Sequence, residues 1–340
     1  MLVVGCAAPP RAVNFENAHW QPQQSGSTAG FRGVCALSDE VCWASGSGGT
    51  FARTVDSGAT WSSVSVPEAA ALDFRDIHAM DARTAWLLSA GEPAKIFKTS
   101  DGGRNWVEQY SNAAAGVFFD AFDFWDDRSA IAFSDPLDGS FLIINTRDAG
   151  RTWQRVQPDL LPPPLLGEAG FAASGTCLVV EGLQNIWIAT GGGPVARVLH
   201  SADRGRTWRV SDTPLMAGNA SSGIFSLAFR DAQNGVAVGG DHQKPEQRTG
   251  NCALTDDGGK TWQLVERHPP RGYRSCVAYV PGAATPTLVA VGPSGSDIST
   301  DDGRTWQSIG TTGYHSVSFA PDGAGWAVGA DGRVAKFASE

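Results

Sequence analysis

Arg32, Arg75 and Arg274 each follow an aromatic residue (Phe31, Phe74, Tyr273) that opens an alternating apolar segment. Asp120, Ala172, Ser226 and His315 hold the same place behind Phe119, Phe171, Phe225 and Tyr314. Three guanidiniums, a carboxyl group and an imidazole at equivalent points of a pattern are more charge than a hydrophobic core uses. If these segments converge on one opening, the arginines suit carboxylate or phosphate oxygens, which a guanidinium binds through two parallel N–H donors. Asp135, Glu168 and Asp241 fall in connecting segments that could reach the same opening, as could Asp138, His242 and Lys244. With Asp120 they would supply the carboxylates of a glycoside hydrolase, roughly 5–5.5 Å apart for retention or 6.5–9.5 Å for inversion. A solvated funnel whose charges pair with one another is the competing reading. Neither metal nor organic cofactor is expected. His19, His78, His200, His242, His268 and His315 have no ligand spacing, and the glycines at 46–49 and 191–193 lack the dinucleotide-binding pattern.

The elements that must position these residues come from an internal repeat. An octapeptide of the form Ser/Thr-x-Asp-x-Gly-x-Thr/Asn-Trp occurs six times, with its acid at Asp56, Asp101, Asp148, Asp203, Asp257 and Asp301. It closes on Trp61, Trp106, Trp153, Trp208, Trp262 and Trp306, which lie 44 to 55 residues apart. That is the length of a four-stranded propeller blade. In such a turn the carboxylate accepts backbone N–H groups, the glycine takes a positive φ, and the tryptophan fills the gap between sheets. Six equivalent acids at six turns read as structural. Each repeat contains an aromatic-led first strand, an apolar second strand, a third ending in the octapeptide, and a fourth starting at its tryptophan.

A seventh unit is split between the ends of the chain. Residues 314–337 supply three strands, and His19-Trp20-Gln21 resembles the Trp306-Gln307 start of a fourth strand. The expected fold is therefore all-β: a seven-bladed β-propeller of four-stranded antiparallel blades, over residues 17–340, whose last blade is closed by the N-terminal strand. Residues 1–16 form a separate leader and tether. Within it Val3-Val4-Gly5-Cys6 fits a lipoprotein cleavage site, which predicts export, lipidation of Cys6 and a periplasmic or outer-membrane location. Cys35 and Cys42 flank a turn and are candidates for a cross-strand disulfide or for two small buried residues. Cys177, Cys252 and Cys276 read as core. The formal charge of −9 argues against sequence-independent binding of nucleic acid.

The octapeptides, known as Asp boxes, and the Phe74-Arg75-Asp76-Ile77 strand give the chain a resemblance over nearly its whole length to the photosystem II assembly and stability factor family and its bacterial relatives. That resemblance implies a monomeric exported propeller without catalysis, which offers an arginine-bearing face to a protein, an anionic small ligand or a glycan. Arg32 and Arg75 are the positions to compare with the family's arginine patch. Asp boxes also occur in sialidases, the enzymatic alternative. Phe31-Arg32 continues as Gly33-Val34, away from the Phe/Tyr-Arg-Ile-Pro motif of sialidases.

Overall fold

The computed structural model describes residues 15–339, so Cys6 and the lipoprotein-like stretch lie outside the described residues. Alternation of apolar and polar residues produces seven four-stranded antiparallel sheets, each built in chain order from the inside outward. The innermost strands of blades 1 to 7 are Phe31–Ala36, Asp73–Ala79, Phe119–Phe124, Leu178–Glu181, Ser222–Phe229, Cys276–Tyr279 and Ser316–Phe319. Blade 7 takes its outer strand from the other end of the chain: His19–Gln24 pairs with Arg333–Ala338, with Trp20 opposite Phe337. Ring closure by the N-terminal strand leaves the last blade without an open seam.

All six octapeptides fold identically. In the first, Thr60 donates its backbone N–H to Asp56 Oδ1 at 2.9 Å and its hydroxyl to Oδ2 at 2.6 Å, while Gly58 N–H donates to Thr54 Oγ1 at 2.9 Å. The same bonds recur at Asp148, Asp203, Asp257 and Asp301, and at Asp101 the Asn105 side-chain amide takes the place of the hydroxyl. The glycine of each turn has φ between +78° and +85°, a region in which a side chain is strained. The closing tryptophans do bridge sheets: Trp106 of blade 2 meets Phe51 and Trp43 of blade 1 edge-on, with centroids 5.2 and 6.4 Å away. Deepest burial falls elsewhere, on Trp43, Trp86, Trp187 and Trp326 of the second strands. Three of these carry a cation from the facing third-strand residue: Arg53, Lys98 and Lys336 sit 5.1, 4.5 and 4.9 Å above the rings.

Polar atoms on the innermost strands tie each blade to the next. Asp76 accepts the N–H of Phe122, Asp123 that of Val180, Ser226 that of Val277, and Ser318 that of Ala36, at 2.8 to 3.1 Å. Cys276 Sγ accepts from Val317 at 3.4 Å, Cys35 Sγ donates to Ala79 O at 3.7 Å, and Leu227 N–H donates to Thr176 O at 2.9 Å. At least one such bond thus spans each of the seven seams. It satisfies backbone groups that strand ladders within a blade leave unpaired.

Cys35 and Cys42 do not form a disulfide. Cys35 lies opposite Trp43 and Cys42 opposite Ala36, so the two sulfurs emerge on opposite faces of one hairpin. Burial pushes the Cys35 thiol up to about 12.

Candidate functional site

The innermost strands of blades 1, 2, 3 and 5 each contain a β-bulge near their start, between Phe31 and Gly33, Phe74 and Asp76, Phe119 and Ala121, and Ile224 and Ser226. A bulge leaves one residue out of the ladder and re-aims its side chain. The residues released are Arg32, Arg75, Asp120 and Phe225. Alignment on aromatic residues therefore slips by one in blade 5: Phe225 occupies the position of the arginines. Ser226 turns away from the opening, fully buried between the hydroxyl of Thr176 and the N–H of Val277.

Blade 4 departs further from expectation. Phe171 and Ala172 do not begin a strand; the first strand starts at Leu178, and residues 170–177 loop across the centre of the ring. Arg75 of blade 2 donates to Ala172 O at 2.9 Å, and Thr176 donates to Ser226 of blade 5 at 2.7 Å. Ser174 donates to Ser275 O of blade 6 at 2.8 Å and accepts from Ser316 of blade 7 at 3.2 Å. A segment bonded to blades 2, 5, 6 and 7 must lie on the axis. The channel is therefore plugged by its own chain.

Above the plug is a cup of about 340 Å³, lined by Arg32, Arg75, Phe171, Ala172, Ala173, Phe225, His242, Tyr273, Ser275, Pro293 and His315. Arg75 donates Nε–H to Asp73 at 2.7 Å as well as bonding the plug. Arg32 has no hydrogen-bond or ion-pair partner among the described residues; burial, then the neighbouring Arg75 charge, lower its pKa. His315 holds Phe31 O at 2.9 Å through Nδ1, and burial, then the Arg32 charge, depress its pKa to about 4, so the ring is neutral near pH 7. Phe171 and Phe225 stack with centroids 3.8 Å apart and planes 11° apart, and Tyr273 meets Phe225 edge-on at 4.6 Å.

Several known proteins resemble this chain in sequence or in fold. No protein-family model matches the chain. The photosystem II assembly lipoprotein Ycf48 of Nostoc sp. is 27% identical over 180 residues, 51% of this chain and 43% of that protein. The match thus spans under half the length of that relative. A solved structure of YCF48 bound to a D1 peptide superposes with a TM-score of 0.66 at 16% identity, covering 100% of both chains. YCF48 from Cyanidioschyzon merolae superposes equally well, at 0.66 and 17% identity, over 94% of this chain and 98% of that one. This chain resembles Ycf48. With the Ycf48 structures the likeness is one of fold, and the cup must be argued from its own residues.

Of the residues expected at the Ycf48-like upper face, Arg32, Arg75, Ala172 and His315 line the cup. Arg274 does not. It is buried and ion-paired with the equally buried Asp297 at 2.6 Å, and it bonds Tyr273 O and Ser294 Oγ. Glu168 is likewise withdrawn: it pairs with buried Arg197 and accepts from Thr190 at 2.6 Å and from Leu165 N–H at 2.7 Å. Asp241 caps its loop, accepting from Ser221 Oγ at 2.7 Å and from Gln243 N–H at 3.0 Å. Asp135 accepts the N–H of Gly170 at 2.7 Å, just before the plug. Asp120 is fully buried beside it, packed so closely that a Cβ at Gly170 would stand 2.5 Å from Asp120 Oδ2. Burial, then the Asp135 charge, push the Asp120 carboxyl well above the usual range, and burial lifts Asp135 to about 6. Burial is the larger cause of both shifts, and repulsion from the neighbouring Asp135 carboxylate adds to that of Asp120. Asp135, Glu168 and Asp241 are thus committed to turns or ion pairs, Asp120 is buried with no hydrogen bond to either oxygen among the described residues, and none of the four lines the cup. The repeat pattern missed Phe225, Tyr273 and Pro293 as lining residues, because their apolar or aromatic types read as core; His242, expected at the opening, does line it.

Proposed function

We propose that this protein is a non-catalytic, exported binding or assembly propeller whose arginine-bearing cup receives a segment of a partner protein. The observation that carries this reading is Arg32: a guanidinium largely removed from water with no hydrogen-bond or ion-pair partner among the described residues, on the wall of a cavity that none of the described acidic side chains lines. A desolvated cation is costly unless an anion completes it, so the site is built for one. Support comes from the relatives. One is named as a photosystem II assembly lipoprotein, and a structure of similar fold was solved with a D1 peptide. Lipid attachment at Cys6 would hold a monomeric propeller at a membrane surface. In this reading the Asp-box turns are structural and occupy the face opposite the cup.

Affinity capture from the native envelope, with mass-spectrometric identification, tests the proposal. Wild-type protein is expected to retain a discrete partner that Arg32→Ala releases while its unfolding curve stays unchanged. A partner retained equally by the variant would overturn the assignment of the cup.

A further inference from the structure

The cup has two unlike halves, and their chemistry narrows the ligand. On one side stand Arg32 and Arg75. Arg75 is already balanced by Asp73 and spends Nη1 on the plug, which leaves Arg32 as the uncompensated guanidinium. Since Phe31 O can only accept, His315 Nδ1 carries the ring proton and Nε2 remains an acceptor. A ring held neutral adds no second charge. This side therefore calls for one carboxylate.

The other side is flat and largely apolar. Phe171 and Phe225 form a face-to-face stack, Tyr273 closes it at an edge, and Ala172, Ala173 and Pro293 add apolar lining, with His242 and Ser275 as its polar groups. Phe225 reaches the cup only because its bulge places an aromatic ring where blades 1 and 2 present arginines. Aromatic faces favour offset or edge-on partners over solvent. The plug gives the cup a floor, and its volume lies near the lower end of ligand pockets. Such a space accepts one ring and its carboxylate, and a threaded chain would collide with residues 172–176.

We propose that the cup recognises an aromatic group bearing a single carboxylate, offered by an aromatic residue with an adjacent acidic function on the partner segment. This rests on the reading of the cup as the binding face. The probes are 3-phenylpropanoate, 3-phenylpropanamide and propanoate, titrated into the protein by calorimetry or NMR. The phenylpropanoate should bind more than about tenfold tighter than either analogue, as expected for a charge-assisted hydrogen bond and for ring burial. Arg32→Gln should reduce it to the level of the amide while thermal unfolding is unchanged. Equal affinity for the three compounds, or no binding of any, would overturn the proposal. Partner capture that depends on Arg32 alongside indifference to the probes would overturn this ligand chemistry and leave the binding function standing. Probe binding without any captured partner would do the reverse.

Discussion

Arg75 of blade 2 donates to the carbonyl of Ala172, a residue of blade 4, at 2.9 Å across the centre of the ring. Together with the bond from Ser174 to Ser275 O it joins the wall of the cup to its floor, because Ala172 and Ser174 lie in the segment that replaces the start of a strand. Removing the guanidinium leaves a carbonyl without its donor and Asp73 without its cation.

Arg75→Ala should therefore cost about 1–3 kcal/mol. The loss should be local before it is global: amide exchange in residues 171–177 should accelerate while the blades keep their protection. Hydrogen-exchange mass spectrometry reads both. Uniform acceleration around the ring would mean that the plug is not held by this bond.

Glu168 and Arg197 form a buried pair on the upper side of blade 4, and Thr190, Leu165 N–H and Pro163 O occupy their remaining groups. Breaking such a pair from one side strands a charge in a dry site. Glu168→Gln is expected to destabilise by about 3–5 kcal/mol, whereas replacement of both partners by apolar residues of similar volume should cost far less. A chemical denaturation midpoint for each variant decides this. Equal losses in the single and double variants would remove the electrostatic explanation.

Acid unfolding should have a defined window. The side-chain amide and backbone N–H of Asn105 hold Asp101, and the backbone N–H and hydroxyl of Thr152 hold Asp148, at about 2 in the folded chain; against the opposing effect of burial, hydroxyl and backbone donors do the same for Asp203 and Asp257. A carboxylate depressed on folding adds stability above its unfolded value, and this is lost as pH falls toward the folded value. Melting temperature should thus drop progressively from about pH 4 to pH 2. Asp123 behaves oppositely. Raised to about 6 by burial, it takes up its proton earlier in the folded state and so favours folding as pH falls from 6 toward 4. Asp123→Asn should remove that contribution, and Asp101→Asn should weaken the dependence below pH 4. A melting profile across pH 2 to 7 for the three proteins tests both signs.

Local chemistry explains how much of this architecture could be read from residues alone. The octapeptide is self-contained: its acid, hydroxyls and glycine bond within eight positions, so one copy announces one turn and six announce a ring. Closure by the N-terminal strand was legible because Trp20-Gln21 repeats the start of an outer strand found in the other blades. What the sequence could not decide was whatever depends on a neighbour distant in the chain. Arg32 and Arg274 have the same local pattern, yet Asp297 claims one and no described residue pairs with the other. Phe171 looks like every other strand opener, but the segment after it finds its partners in four other blades. Phe225 reaches the cup through a bulge that shifts register by one residue, and a shift of one reverses which side of a strand a residue faces. Turn identity is a property of adjacent residues; charge compensation, plugging and bulge placement are properties of the closed ring, and only its packing sets them.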